Sequence, residues 1–470
     1  MSAEQSYIVP AQADIVHHIA EFAARLSYED LTPLAREAAK KSLLDTIGVI
    51  LAASGMEPAV RGVIEVVGEA GGRPDATILG FGGRAPAIMA ALANGALAHC
   101  LDYDDQTPWG QHAASSVVPA VLALAERRGG VSGRTLIVAV AVGQDVFARL
   151  RRNVDWNKDW NLSTVMGVFA ATAAAGRVMG MDGGKIAAAL GIASMQCSGI
   201  MEMVCGTGSD LRALYAGFSA KGAVLATLLA EKGVPGIEAL FEGTYGFFNT
   251  YFDGRYQRDQ ILADLGTDFQ GSGTLYKRWP CVGTAHSHMK AVIDIVVAND
   301  LCPEHIAEVR LSVGDYHALM CEPLEIRCAP STLADAKFSL PFLVAVAAVR
   351  RGMSVGDFTE AGLRDPQVLA LARKISLIPD PALDWKLELP PGRVEVVGTD
   401  GRRWALYGER IPGNADSPMT WSDICVKFAE CARVAANPLL PERVLEAQRL
   451  AGSLEDLDDI QSWLAVFANN

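Results

Sequence analysis

The spacing of apolar side chains changes once along this 470-residue chain, near residue 270. Before that point they recur every three or four residues. Ile15, Ile19, Phe22 and Leu26 do so in one segment, and Leu43, Ile47 and Ile50 in the next, the period of helices with a buried face. "SGRTLIVAVAVGQDVFARLRR" opens at a candidate N-cap, Ser132, and closes in basic residues that suit a helix C-terminus. "VFAATAAAGRVMGM" and "KIAAALGIASM" carry small side chains that permit close helix packing, and "FSAKGAVLATLLAEKG" ends at Gly233, a natural terminator. Beyond residue 270, Val309, Leu311 and Val313 alternate with polar neighbours as in a half-buried strand. "GRVEVVGTDGRRWALYG" is two strand-like runs around Asp400–Gly401, a hairpin signal. A helix around "FLVAVAAVRRG" lies between them, and the chain after "SDICVKFAECARVAAN" is helical again. The expected fold is mainly α. A large all-helical domain would use both chain ends, residues 1–270 and 411–470, beside a smaller α+β domain over 271–410. The chain exceeds the size of one typical core, which also favours two domains.

Half the residues are hydrophobic and a fifth charged, which excludes a disordered chain. The 41 basic and 54 acidic residues leave a formal charge of −13 with no Lys/Arg-rich run, so no nucleic-acid partner is expected. A few cations can still hold an anion locally. The nine cysteines form no C-x-x-C pair and are odd in number, which reads as buried thiols in a reducing compartment. The start, "MSAEQSYIVPAQAD", lacks the basic and apolar regions of a secretory signal. Asp45, Asn94 and His99 interrupt the most apolar runs, none of which reaches the ~18 residues of a membrane span. A soluble, cytoplasmic protein without a membrane partner is expected.

Three stretches gather groups that carry chemistry. "NGALAHCLDYDDQTPWGQH" places His99, Asp102, Asp104, Asp105 and His112 within fourteen residues of a chain with eight histidines. If the helix runs through Asp102, Asp105 shares its face and Asp104 does not. Carboxylates so close interact, and one with a raised pKa is a candidate base. The Pro and Gly of "QTPWGQ" break the helix and let His112 fold back. A solvated acidic helix end is the plainer alternative. His99, Asp102 and His112 also compose a candidate metal set, although no i,i+4 histidine pair is present. In "LYKRWPCVGTAHSHMKAVID", Lys277 sits among apolar and aromatic neighbours that could desolvate it, while His286 and His288 fit packing as well as catalysis. In "CGTGSDLRALYAGFSAKG", a glycine turn at Gly206 and Gly208, a cap at Ser209 or Asp210, and Arg212 in the first helical turn make a carboxylate receptor or an ordinary capped helix. Gly80-x-Gly82-x-x-Ala85 follows too short a run for a dinucleotide site, and "GFSAKG" lacks the last glycine of a nucleophile elbow.

Taken together, "NGALAHCLDYDD…H", "LLDTIGVILA", "GVFAATAAAGRVMGMD", "LRALYAGFSAKGAVLATLLAEKGVPG", "KRWPC" and "PSTLADAKFSLPFLVA" resemble the MmgE/PrpD family along nearly the whole chain. That family contains dehydratases, decarboxylases and epimerases of small carboxylic acids. The resemblance implies a helical domain with an α+β lid, a homodimer, an active site between the domains, and no metal or organic cofactor. It implies functional roles for Asp102, His112 and Lys277. Gln106 stands at a position that is Thr in the family's decarboxylases, with Thr107 adjacent. Asn161 stands where a catalytic His is usual and Arg212 where a Lys is usual. Leu324 falls near a Tyr of the decarboxylases, and Arg327, a turn later, is expected to face the same pocket.

These reactions place negative charge on a carboxylate whose neighbouring carbon loses a proton or CO₂, so preorganised cations help most. Arg212 and Lys277 would supply them. Arg212 and Asn161 cannot carry a proton near neutral pH, leaving Asp102, His112 or Lys277 to do so. The expectation is a cofactor-independent lyase, of the dehydratase or hydratase type, acting on a small hydroxy di- or tricarboxylate. Asp102, His112 and Lys277 are the catalytic candidates, and Arg212, Asn161, Gln106, Thr107 and Arg327 the substrate-binding ones. Decarboxylation, epimerisation, non-catalytic carboxylate binding and metal-dependent hydrolysis are the alternatives.

Overall fold

A computed structural model describes residues 9–206, 209–408 and 417–468, and most of them are helical. Gly208 of the expected glycine turn lies outside the described residues. Long helices span Pro33–Met56, Ala87–His99, Ala114–Arg128, Gly133–Arg152, Gly167–Val178 and Leu211–Glu231. Several starts follow from local chemistry. Thr32 and Ser132 accept hydrogen bonds from N3 amides, and Pro33 occupies the first helical position, where its missing N–H costs nothing.

Two hydrophobic clusters organise the chain. One runs from Ile15 to Tyr276 and takes in Ile424, Phe428, Trp463 and Phe467 from the C-terminal helices. The other gathers Met201 and Val204 with side chains between Trp279 and Val396. Its sheet orders Ile375–Pro379, Ile306–Val313, Arg393–Gly398 and Arg403–Tyr407. The first pair is parallel and the others antiparallel. The hairpin at Asp400–Gly401 forms as expected, with Gly401 at φ 83°. Strand Ile375–Pro379 is not apparent from the sequence: it is short, closes on proline and occupies a sheet edge, where a missing N–H is tolerated. The Gly80-x-Gly82 segment turns a two-stranded hairpin between Ala76–Thr77 and Arg84–Ala85, with both glycines at positive φ. It opens no βαβ unit.

Helix Leu211–Glu231 is long and apolar enough to cross a membrane, but about two thirds of its most apolar stretch is buried inside the protein, the environment of a core helix. It crosses Ala87–His99 where a Cβ on Gly95 would lie 2.7 Å from Gly217 Cα, and one on Gly217 would lie 2.4 Å from the Leu92 carbonyl. Neither position admits a side chain without the helices moving apart. That close crossing sets Tyr215 against His99, with ring centroids 4.2 Å apart. The packing of small residues thus fixes where the polar side chains meet.

Candidate active site

Helix Ala87–His99 ends at the polar cluster, and the chain turns at Asp102, which adopts φ 51°. Helical spacing therefore stops before the carboxylates, and Asp102 and Asp105 do not share a face. Each of the three carboxylates has a different environment. Asp102 Oδ2 accepts from Arg212 Nη2 at 2.6 Å. Its Oδ1 accepts from Lys277 Nζ, which also donates to the Asp102 carbonyl at 2.8 Å. Burial alone would raise this carboxyl, but Lys277 and Arg212 more than reverse the effect and hold it well below the usual range.

Asp104 is fully buried and accepts from His99 Nδ1 at 3.0 Å. Burial opposes its charge, and His112 and His99 outweigh burial, bringing it down to about 2. Asp105 accepts from the Ala114 N–H at 3.1 Å, at the start of the next helix. Burial, then the neighbouring Asp104 charge, push it well above the usual range. The carboxyl with the raised pKa is therefore one that supports a helix start, outside the cavity lining.

His112 folds back as the Pro and Gly suggest. Its Nδ1 lies 2.5 Å from the Asp105 carbonyl, its Nε2 4.0 Å from Asp102 Oδ1, and its N–H donates to Ser163 Oγ at 3.1 Å. An Nδ1–H donated to that carbonyl leaves Nε2 with its lone pair. Burial lowers the imidazole to about 4, against the pull of Asp104. His112 is neutral near pH 7.

Asp102, Gln106, His112, Asn161, Arg212, Tyr316, Phe338 and Trp385 line one cavity of about 50 Å³, room for no more than a few waters. A groove of about 770 Å³ lies elsewhere, at His17, Arg25, Gly183 and Ile237, away from this cluster. Two of the residues that line the small cavity carry amides with unspent hydrogen-bonding capacity. Asn161 caps helix Leu162–Val165, its Oδ1 accepting from the Ser163 N–H at 3.0 Å, and its Nδ2 has no hydrogen-bond partner among the described residues. Gln106 Nε2 is likewise buried and unpaired among the described residues. The Gln106 backbone exchanges hydrogen bonds of 2.9 and 2.8 Å with Leu275, tying the His112 loop to the segment that carries Lys277. The Arg212 guanidinium lies over the Phe338 ring at 3.9 Å.

Several expected residues do other work. The Thr107 hydroxyl donates to the Gly110 carbonyl, closing a turn. Arg327 does not face the cavity: it donates to the carbonyls of Glu322, Phe338, Cys205 and Leu319 at 3.1–3.3 Å. Leu324 begins helix Leu324–Cys328, and Tyr316 lines the cavity instead. His286 and His288 are buried in the second cluster's surroundings, where burial lowers them to about 3 and about 4. Tyr215, Tyr316 and Trp385 escaped the sequence reading. Tyr215 was findable, because it follows Arg212 by three residues on one helix.

The alternative metal set weighed from the sequence is altered. His99, Asp104 and His112, rather than Asp102, bring ligand atoms within 4.8 Å of one another. A cation there would displace the His99–Asp104 bond and the contact of His112 with the Asp105 carbonyl.

The MmgE/PrpD N-terminal domain matches residues 17–259 and the MmgE/PrpD C-terminal domain residues 279–449. A cis-aconitate decarboxylase of Aspergillus terreus is 26% identical over 98% of this chain and 97% of its own length. The Homo sapiens cis-aconitate decarboxylase is 25% identical over 80% of the chain and 78% of its own length. A 2-methylcitrate dehydratase of Cupriavidus necator is 23% identical over 80% and 79%.

Proposed function

The chain belongs to the MmgE/PrpD family, and we propose that it is a lyase that removes water from, or adds it to, a small hydroxy di- or tricarboxylate. The observation that carries this reading is the cavity's unspent chemistry. Asn161 Nδ2 and Gln106 Nε2 offer only N–H groups beside Arg212, while His112 Nε2 supplies one lone pair. An acceptor-rich anion with an acidic C–H fits such a lining. His112 Nε2 takes the proton next to a substrate carboxylate, and the charge that develops on the carboxylate oxygens is met by Arg212 and the two amides. The electron pair then forms the C=C bond as the β C–O bond breaks. The leaving hydroxide takes the proton from His112 and departs as water. Asp102 is a poor base because two cations hold its charge, so it positions Arg212 and Lys277. The cavity holds no tricarboxylate as it stands, so we assign the unit around the second hydrophobic cluster the role of a lid that opens to admit one.

Decarboxylation is the second reading, favoured by relatives of that name that cover almost the whole chain. It needs a proton donor after CO₂ leaves, whereas His112 arrives without one on Nε2. Incubating the protein with 2-methylcitrate and with cis-aconitate in D₂O separates the readings. Dehydratase chemistry gives solvent-deuterium uptake and a change in alkene absorbance without CO₂. Released CO₂ supports the decarboxylase, and binding without exchange marks a carboxylate-binding protein.

Arg212→Lys keeps the charge but loses the guanidinium fork. Loss of a charge-assisted hydrogen bond of about 1.5–3 kcal/mol should lower kcat/KM roughly ten- to hundredfold. Arg212→Ala should be worse, since a substrate carboxylate would be desolvated without a partner. Steady-state kinetics with melting temperatures check this. Unchanged kinetics in both variants would remove Arg212 from substrate binding.

A further inference from the structure

We propose that Asp104, tethered by His99, is the positioning anion for His112, and that the pair stabilises the imidazolium formed when His112 accepts a proton. The inference rests on the dehydratase reading and extends it to two residues that do not line the cavity. His112 Nδ1 faces away from the cavity, towards the Asp105 carbonyl at 2.5 Å and Asp104 Oδ2 at 3.4 Å. Asp104 is buried to zero exposure, and its carboxylate spans His99 Nδ1 at 3.0 and 3.2 Å. His99 is itself buried and fixed between that carboxylate and the Tyr215 ring, centroids 4.2 Å apart.

The other two carboxylates cannot do this work. The Asp102 charge is spent on Arg212 and Lys277. The Asp105 side chain supports the start of the next helix, and burial with the Asp104 charge favours its neutral form. Asp104 alone of the three is an anion whose neighbours within ion-pair reach, among the described residues, are histidines. Holding a charge in that position is costly unless a cation forms there during turnover. When the His112 ring gains a proton, the anion is already in place and needs no reorganisation. The same arrangement fixes the ring tautomer that leaves Nε2 free.

Asp104→Asn keeps the volume and an acceptor for His99 and removes only the charge. Deuterium exchange into 2-methylcitrate and cis-aconitate, followed from pH 3 to 9, should show kcat reduced about ten- to hundredfold with KM little changed. The acidic limb of the profile should move to lower pH, because the His112 proton loses its counter-charge. His99→Phe keeps the ring against Tyr215 but releases the tether, so it should shift kcat in the same direction. The double variant should be no worse than the poorer single one, since both remove one function. A lowered melting temperature with an unmoved limb and kcat, in whichever variant folds, overturns the proposal and assigns the pair to packing. If Asp104→Asn leaves limb and kcat alone while His112→Gln abolishes exchange, the proposal fails and the dehydratase reading stands. Exchange that survives His112→Gln, or a wild type that exchanges neither acid, removes both.

Discussion

His112→Gln should abolish solvent-deuterium exchange into the substrate while leaving substrate binding nearly intact. Gln fills similar space and can still hydrogen-bond, but it has no lone pair basic enough to hold a proton. The loss expected for a positioned acid/base is about 10²- to 10⁴-fold in kcat. Binding should survive because Arg212, Asn161 and Gln106 make the expected carboxylate contacts. Isothermal titration with 2-methylcitrate, beside exchange measured by mass spectrometry, separates the two effects. Exchange at the wild-type rate would mean that another group takes the proton. Lys277 is the remaining candidate in the sequence, yet its Nζ is already bonded to both the carbonyl and the carboxylate of Asp102.

The fold was legible where a local signal determines it. The alternation of Val309, Leu311 and Val313 forms a strand, and Asp400–Gly401 turns a hairpin as its sequence requires. The segment "SDICVKFAECARVAAN" was legible as a helix, which it forms over Trp421–Arg433 with Ile424 and Phe428 in the first cluster. Strand Ile375–Pro379 was not legible, since its pairing is parallel and depends on a partner more than sixty residues earlier in the chain.

The site was legible as a place and illegible as a division of labour. Five chemically active side chains within fourteen residues mark it plainly. Which carboxylate is charged, neutral or pinned depends on groups far away in the sequence. Asp102 meets Arg212 across 110 residues and Lys277 across 175. Its left-handed backbone also breaks the helical spacing that would have paired it with Asp105. Arg327 misled for a different reason: its guanidinium suits a carboxylate, but four backbone carbonyls occupy it first, those of Leu319, Glu322 and Phe338 nearby in sequence and that of Cys205 far from it.

Asp102→Asn should destabilise the protein by about 3–5 kcal/mol near neutral pH, the cost of leaving buried cations without their anion. Lys277 is fully buried and Arg212 nearly so, and both point at this one carboxylate. Asn is the informative replacement because it tolerates the positive φ found here, whereas Ala would add backbone strain to the loss of charge. The penalty should depend on pH in a defined direction. The folded-state carboxyl lies well below its ordinary value, so its stabilisation is complete above the unfolded pKa of about 3.9 and is lost as pH falls further. Wild type and variant should therefore differ fully at pH 7 and begin to converge only as pH falls below about 4. Adding Lys277→Met to Asp102→Asn should recover part of the loss, because one of the two stranded cations is then gone. Chemical denaturation of the three proteins at pH 7 and pH 3.5 measures all of these differences. A gap of under about 1 kcal/mol at pH 7, the range of an exposed ion pair, would mean that water reaches these charges and screens them.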